Sequence, residues 1–253
     1  MSLLLSPLRE FCKKGDLLLL GLCLAASGYG LLLIFSATRY LESNRYVLVQ
    51  LLAIFLGVFA YILLTFVDFQ LFVEKNWKWI LVFNICFILL LLTPLGTDHG
   101  MGNRNWLSIP RFPIDIQPNE VVKLPFVLLM ALQFARLHER EQDVSSIPSV
   151  AQTGGHAVFM LALIAAVCGD MGMCVVYMFI YAFMAWSAGV KIRWFVLVGG
   201  GLVLAAVILW LFILPETSWW TDYRIMRFRV VFDHDLDPLG RGYQQSRSIL
   251  AIG

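Results

Sequence analysis

The stretch that decides the fold lies between residues 102 and 137. It begins with GNRNWLSI at Gly102–Ile109, turns through prolines, and continues as QPNEVVK at Gln117–Lys123 into an apolar run that ends at Leu137. The pattern predicts a segment that leaves a membrane and re-enters it as a helix. Because charged side chains are costly in lipid, a Glu and a Lys three residues apart at the mouth of such a helix mark a candidate functional site.

The composition of the whole chain supports this interpretation. Of its 253 residues, 60% are hydrophobic and 14% are charged, against about 25% charged in a typical soluble domain. Long unbroken apolar runs predict helices, since a barrel would show short alternating segments. The net charge of +2 gives no indication of nucleic-acid binding. The predicted fold class is therefore an all-α polytopic membrane protein.

The apolar stretches predict about seven transmembrane or re-entrant helices in a single membrane domain over residues 1–253. The first run has 19 residues, more than the ~7–15 of a signal peptide, and is expected to remain uncleaved. Asp68–Lys78 is expected to be an interfacial segment, and Asn84 to hydrogen-bond to another helix. The predicted spans are Leu17–Phe35, Tyr46–Val67, Ile80–Leu95, Glu120–Leu137, the broken stretch His156–Met184, and Trp194–Leu214.

The stretch His156–Met184 is interrupted by CGDMG at Cys168–Gly172. Two full spans need about 40 residues, and His156 to Ala188 provides 33. The pattern predicts two short helices that meet at a break, or one re-entrant element covered by protein. Asp170 is either a ligand-binding carboxylate or the cap of the second helix; the pattern favours the cap, and the two roles are compatible.

The distribution of Lys and Arg predicts the orientation of the chain. Nine lie in the alternate short segments that begin with the N-terminus, and four lie in the opposing loops. Since short cytoplasmic loops are enriched in Lys and Arg, the N-terminus is expected inside. The loop at residues 96–119, the Asp170 break and the tail after Pro215 are then all expected outside.

Glu120 and Lys123 are spaced to touch on one helix face. They either line an outward cavity that holds a charged headgroup or form a salt bridge at the start of a helix, where Glu is favoured by the helix dipole. The spacing leaves both alternatives open. The five cysteines form no CxxC pair and the four histidines no paired motif, so neither a disulfide framework nor a zinc site is predicted.

The segment after Pro215 combines aromatic residues with arginines near helical spacing, including Arg224 and Arg227. The arginines either capture a lipid-linked phosphate, whose geometry suits guanidinium, or belong to an aromatic belt with solvated charges. The pattern favours the belt.

These motifs also carry a family resemblance. Together they resemble the SEDS family (RodA, FtsW and SpoVE), whose pattern is an Arg-Trp-Ile-type turn before Gln-Pro-Ser-Glu-x-x-Lys, then Gln-Pro-Asp-Leu-Gly, then Asp-Pro-x-Gly-x-Gly-Tyr-Gln and Ala-Ile-Gly-Ser-Gly-Gly. The chain departs from the pattern at Asn105, Leu107, Asn119, Cys168-Gly169 and Arg247; Asn119 stands in place of the family's Ser and is expected to be an equivalent N-cap. The matching segments are Gly102–Ile109 with Gln117–Leu124, Gly169–Gly172, Asp237–Gln244 and Ala251–Gly253.

The resemblance implies a peptidoglycan glycosyltransferase that polymerises lipid II into glycan strands at the outer face of the bacterial cytoplasmic membrane. It implies about ten spans and a class B penicillin-binding protein from the elongation or division machinery as partner. It implies no particular cofactor and allows a divalent cation. The family's catalytic Asp follows the Ser-Gly-Gly motif, beyond Gly253, so we expect a C-terminally truncated chain that is inactive alone.

The resemblance and the residue patterns together give a set of substrate-binding or cavity residues. Glu120 and Lys123 are expected to shape the cavity, Trp106 to position the outer loop, and Asp170 to brace the helix break. Arg224 or Arg227 would contact pyrophosphate. The full predicted set is Arg104, Trp106, Gln117, Glu120, Lys123, Asp170, Arg224, Arg227 and Gln244.

Two other functions remain as alternatives. A flippase or transporter for a lipid-linked sugar would also contain broken helices with charged residues. A non-catalytic membrane scaffold would need only the partner-binding surfaces. Glycan polymerisation by the purified protein without a gradient would separate the enzyme from both.

Overall fold

The computed structural model describes residues 11, 15–39, 44–98, 104–108, 115–209, 211 and 243–252. It divides into two units, residues 1–188 and 189–253. The first unit contains six helices and one small antiparallel sheet within its described residues. These are α1 Leu17–Ala37, α2 Arg45–Thr65, α3 Phe69–Leu89 with a 3-10 turn at Leu90–Leu92, β1 Gly96–Thr97, β2 Trp106–Leu107, α4 Pro118–Glu139, α5 Ile147–Cys168 and α6 Met171–Ser187.

The second unit contains α7 Ile192–Ile208 and α8 Tyr243–Ile252 among its described residues. The last predicted span, Trp194–Leu214, therefore corresponds to α7, which begins two residues earlier. Its predicted end falls at residues that lie outside the described part of the chain.

Five of the described helices, α1 to α5, are long and apolar enough to cross a membrane. Helices α6 and α7 are apolar but have 17 residues each. Neither α1 nor α2 contains a buried residue, although both are apolar on all sides, as expected of helices that face lipid. The predicted all-α polytopic membrane class is confirmed.

The core of the first unit lies between α3, α4, α5 and α6. Ile88, Phe126, Met160 and Ile164 are fully buried there, and Tyr177 packs its ring against Phe126 at 5.0 Å between centroids. A second, smaller apolar cluster joins α3 and α4 around Trp77, with Val73 and Ile80 on one side and Leu129 and Leu132 on the other. The two clusters fix α4 in the middle of the helix bundle.

Short polar side chains define where several helices begin. Asp16, Asp68 and Ser146 each accept a hydrogen bond from the backbone N–H three residues later, at 2.9, 3.1 and 3.4 Å. Such a bond satisfies one of the N–H groups that have no partner within the helix. At the other end of α5, Gly169 adopts the left-handed conformation with φ 66°, which glycine adopts without steric cost.

Two predictions about α3 are wrong. The helix begins at Phe69 and not at Ile80, so Asp68–Lys78 is the capped first half of the helix; its interfacial location stays a prediction. Its polar residues share the helix with Val73 and Ile80, which are buried against α4. Asn84 is fully buried, but neither atom of its amide has a hydrogen-bond partner among the described residues.

The broken stretch contains two helices that meet at Gly169 and Asp170, which confirms the first of the two predicted arrangements. The first of these helices is not short, however. The Ser146 cap starts α5 at Ile147 and gives it 22 residues, since the small polar residues of its first turns belong to the helix and not to the preceding loop.

The β1–β2 sheet pairs Gly96 with Leu107 and Thr97 with Trp106, and Leu107 also bridges to Ile116. The chain returns so sharply after the Leu90–Leu92 turn that a Cβ on Gly96 would overlap the carbonyl oxygen of Leu91. A glycine is therefore required here for close backbone approach. The sheet fixes the residues on either side of the loop against the start of α4.

Candidate functional site

Three segments that are distant in the sequence meet at one end of the first unit: the β2 strand, the start of α4 and the α5–α6 break. Backbone hydrogen bonds hold β2 in place, with Leu107 donating to Ile116 at 2.8 Å and Ser108 donating to Leu95 at 2.9 Å. These are the segments that carry the motifs singled out in the sequence. The structure thus brings the loop, the charged helix start and the break together.

Asp170 joins the break to the loop. One of its carboxylate oxygens caps α6 by accepting from the Met173 N–H at 3.1 Å, and the other accepts from the Asn105 side-chain amide at 2.9 Å. Asn105 is only 9% exposed, and the oxygen of its side-chain amide has no hydrogen-bond partner among the described residues. The predicted cap is present, and the second oxygen gives Asp170 a bracing contact across the site.

Asn119 joins the start of α4 to both helices of the break. It is fully buried, its side-chain oxygen accepts from the Cys168 thiol at 3.3 Å, and its backbone oxygen accepts from the Tyr177 hydroxyl at 2.8 Å. Its expected role as an N-cap is wrong. Pro118 occupies the first turn of α4, where its missing N–H has no cost, so Gln117 takes the capping position.

Glu120 and Lys123 form the predicted pair. The Lys123 ammonium lies 2.7 Å from a Glu120 carboxylate oxygen, with the side chains 25% and 53% exposed. An exposed pair of this kind contributes about 0–1 kcal/mol to stability, so the fold does not depend on it. Glu120 also lies in the first turn of α4, where the helix dipole favours a negative charge.

The remaining described members of the predicted set lie in the same region. Arg104 donates from Nε to the Gly96 carbonyl at 3.2 Å, which ties the loop to β1. Trp106 is half-buried in β2 opposite Thr97. The half-buried Gln117 accepts from the Glu120 N–H at 3.1 Å through its backbone. Six predicted residues therefore lie on the three segments that meet here.

The side chains of the other three predicted residues lie outside the described part of the chain. Arg224 and Arg227 lie outside the described residues. Gln244 is in α8 of the second unit, and its side chain also lies outside the described part. Their predicted roles stay predictions.

Sequence reasoning missed Asn105 and Asn119 as contacts. In the sequence, Asn105 stands out only as a departure from a family pattern, and Asn119 only as a cap. The available signal was the presence of small amides close to apolar residues such as Leu107 and Val122, which the structure shows to be buried. An amide that is buried with such neighbours needs hydrogen-bond partners.

No group of three or more His, Cys, Asp or Glu side chains is arranged to hold a metal among the residues that the structure describes. The four cysteines in that part of the chain are free thiols. The described residues therefore offer no ready set of ligands for the divalent cation that the resemblance allows.

Comparison with known proteins gives the family. A family model for FtsW, RodA and SpoVE, described as "Cell cycle protein", matches residues 16–253. The chain belongs to the FtsW, RodA and SpoVE family. The predicted resemblance is confirmed, and with it the assignment to a family of multi-pass membrane proteins.

Individual members of the FtsW, RodA and SpoVE family align over most of the chain. Stage V sporulation protein E of Bacillus subtilis is 30% identical over 94% of this chain and 63% of its own length. The probable peptidoglycan glycosyltransferase FtsW of Nitrosococcus halophilus is 29% identical over 94% and 59%. Peptidoglycan glycosyltransferase MrdB of Escherichia coli K12 is 32% identical over 68% and 43%. The chain thus spans less than two thirds of the length of these relatives.

A solved structure shares the fold. It is described as "Structural coordination of polymerization and crosslinking by a peptidoglycan synthase complex" and matches with a TM-score of 0.72 at 22% identity, over 94% of this chain and 65% of its own. At that identity the match establishes the arrangement of the helices.

Proposed function

We propose that the protein is a peptidoglycan glycosyltransferase that polymerises lipid II into glycan strands. The observation that carries the proposal is the meeting of the three family motif segments at one end of the helix bundle, around Asp170 and its bond to Asn105. The names of the relatives favour a transferase over the flippase alternative. The activity, substrate and partners of the whole protein are part of this proposal.

The proposed location is the bacterial cytoplasmic membrane, with the N-terminus in the cytoplasm. Three helices of spanning length precede the β1–β2 sheet among the described residues. A chain that starts inside therefore reaches this sheet on the outer side, where lipid II would be presented. The excess of Lys and Arg in the alternate segments supports the same orientation.

In the proposed reaction, a sugar hydroxyl of one substrate attacks the anomeric carbon of the other. A carbon–oxygen bond to the acceptor forms, the bond to the lipid pyrophosphate breaks, and a general base takes the hydroxyl proton. The family resemblance implies a catalytic aspartate after the family's Ser-Gly-Gly motif. Positive charge near the departing pyrophosphate stabilises the charge that develops on it.

The Glu120–Lys123 pair is suited to the wall of the substrate cavity. It is exposed enough for a ligand to reach it, and an ammonium has three N–H donors. Lys123 can therefore keep Glu120 as a partner while it contacts a phosphate oxygen. Asp170 has both oxygens engaged within the protein, so its role in this proposal is to position the loop.

The proposed partner is a class B penicillin-binding protein of the elongation or division machinery. The solved structure with the same fold comes from a peptidoglycan synthase complex that coordinates polymerisation and crosslinking. A glycan polymerase that delivers its strand to a crosslinking enzyme would work in such an assembly.

The proposal is tested with the protein expressed from its complete reading frame, purified with its partner and supplied with lipid II. We expect the complex to form glycan polymer without added nucleotide and without an ion gradient, and we expect the Glu120→Gln complex to form none. The matched control is Glu139→Gln, which removes an exposed carboxylate from the opposite end of the same helix. Normal polymerisation by folded Glu120→Gln would remove Glu120 from the site, and absence of polymer from the unsubstituted complex would contradict the function.

A further inference from the structure

A cavity with a mixed polar and apolar lining lies at the other end of α4, about 24 Å along the helix from Glu120, given 1.5 Å per residue. Its volume is about 150 Å³, and it is lined by Trp77, Gln133, Arg136, Arg140, Gln152 and three leucines. In another protein, a cavity of about this volume binds benzene. Benzene has one heavy atom more than a phosphate group, so this cavity has room for a phosphate. The cavity belongs to the first unit and contains none of the residues of the candidate transferase site.

The charge in this cavity is positive and unbalanced. Arg136 and Arg140 are four residues apart on α4, where like charges repel by a few tenths of a kcal/mol. Neither has a carboxylate within salt-bridge distance among the described residues, although Glu139 and Glu141 flank Arg140 in the sequence. An anion between the two guanidinium groups would remove the repulsion.

The Arg136 side chain is held in place for such a contact. Its guanidinium lies 5.5 Å from the centre of the Trp77 ring, and the Lys78 ammonium lies 5.6 Å from the same ring. This cation–π contact orients the guanidinium without using its hydrogen-bond donors, which suit phosphate oxygens in pairs. The helix dipole by itself also favours basic residues in the last turn of α4, but it does not explain the cavity or the contact of Arg136 with Trp77.

The amides of the lining supply further polar contacts. The Gln133 Nε2 lies 2.9 Å from Nδ1 of His156, and its buried Oε1 has no partner among the described residues. Since the two ends of an amide are assigned from hydrogen bonding alone, the opposite orientation would let His156 donate to the oxygen and leave an N–H group without a protein partner. Gln152 contributes an exposed amide at the rim.

The remaining lining is apolar and continues into the protein. Leu129, Leu132 and Leu137 are each at least 91% buried, and the first two belong to the small apolar cluster around Trp77. A ligand that fills the cavity therefore has a phosphate group next to a hydrocarbon part. A lipid has both, and this end of the helices carries the Lys, Arg and Trp residues typical of a membrane interface.

We propose that this cavity binds the phosphate of an anionic membrane lipid, between Arg136 and Arg140 and above the leucine surface. In the orientation proposed above, the site faces the cytoplasmic leaflet, opposite to the transferase site. Binding there stabilises the packing of α3 against α4 and does not depend on glycan synthesis. The proposal therefore stands or falls separately from the proposed function.

The test is a titration of the purified protein in detergent with dihexanoylphosphatidylglycerol, followed by intrinsic tryptophan fluorescence and by the unfolding temperature. We expect saturable binding that Arg140→Gln weakens about tenfold, with a similar loss in Arg136→Gln. Arg140 is exposed and has no side-chain partner among the described residues, so its substitution does not disturb folding. Lys75→Gln, an exposed cation on α3 outside the cavity lining, is the matched control and is expected to bind normally.

Two further ligands separate the sources of the phosphate. Dihexanoylphosphatidylcholine, which is zwitterionic, and inorganic phosphate are each titrated in parallel, and weaker binding of both than of the anionic lipid supports the proposal. If inorganic phosphate binds as tightly as the anionic lipid and raises the unfolding temperature as much, the lipid assignment is overturned. Binding that is unchanged in Arg140→Gln and Arg136→Gln, or reduced equally by Lys75→Gln, would overturn the site.

Discussion

The double role of Asp170 leads to a quantitative prediction. Replacing Asp170 with Ala removes the cap of α6 and the acceptor of the Asn105 amide. Loss of a cap costs about 1 kcal/mol, and loss of a hydrogen bond to a charged group costs about 1.5–3 kcal/mol, since the buried Asn105 N–H is left without a partner. We therefore expect Asp170→Ala to lower the free energy of unfolding by about 2.5–4 kcal/mol.

Two matched variants divide this loss into its parts. Asp68→Ala removes a cap with the same 3.1 Å geometry at the start of α3 and no described cross-site contact, so about 1 kcal/mol is expected. Asp170→Asn keeps one side-chain oxygen, which can still cap α6 because Asn is as good a cap as Asp. The variant loses the charged acceptor of the Asn105 amide, so we expect its free energy of unfolding to fall by about 1–3 kcal/mol. The difference between Asp170→Ala and Asp68→Ala isolates the contact with Asn105.

The measurement is equilibrium unfolding in mixed micelles, followed by circular dichroism, for each variant and for the double-mutant cycle with Asn105→Ala. Residues in contact show coupling energies of about 0.5–3 kcal/mol, whereas independent sites add within about 0.3–0.5 kcal/mol. Additive losses, or equal losses in Asp170→Ala and Asp68→Ala, would refute the bracing contact and leave Asp170 as a cap alone.

Two other predictions concern the packing of the first unit, both measured by the same unfolding assay. Gly96→Ala should lower stability by about 1–3 kcal/mol, because its Cβ would overlap the Leu91 carbonyl oxygen; Gly57→Ala, which has open space around it, should be neutral or stabilising by up to about 1 kcal/mol. A neutral Gly96→Ala would contradict the close approach. Asn84→Leu should raise stability by about 1 kcal/mol or more, because it replaces a buried amide that has no described partner with an apolar side chain of similar size; a loss of stability would show that Asn84 has a partner elsewhere in the protein.

The ends of the most apolar helices could be predicted from the sequence because nothing in them competes with the hydropathy signal. Helices α1 and α2 lie within two residues of the predicted spans. The starts of α3 and α5 could not, because their first turns contain residues such as Glu74 and Gln152 that are polar but helical. In α3 the buried Val73 and Ile80 are seven residues apart, which is the spacing of one helix face. The polar residues between them lower the mean hydropathy of the segment, so this spacing does not stand out in the sequence.

The candidate site shows the same division between local and distant contacts. The contact of Glu120 with Lys123 follows from a spacing of three residues on a helix. The cap at Asp170 follows from its position between a glycine and an apolar run. The bonds of Asn105 to Asp170 and of Cys168 to Asn119 join residues 65 and 49 positions apart, and no local rule specifies such pairs in a single sequence.

The separation of Asn105 from Asp170 has a consequence for the order in which the site is assembled. The loop that carries Asn105 is synthesised 65 residues before its carboxylate partner, which at about 5–20 residues per second corresponds to roughly 3–13 s. During this interval the Asn105 amide lacks the carboxylate acceptor that it has in the folded structure. This end of the bundle is therefore completed from the C-terminal side, when the start of α6 brings Asp170 to the loop that carries Asn105.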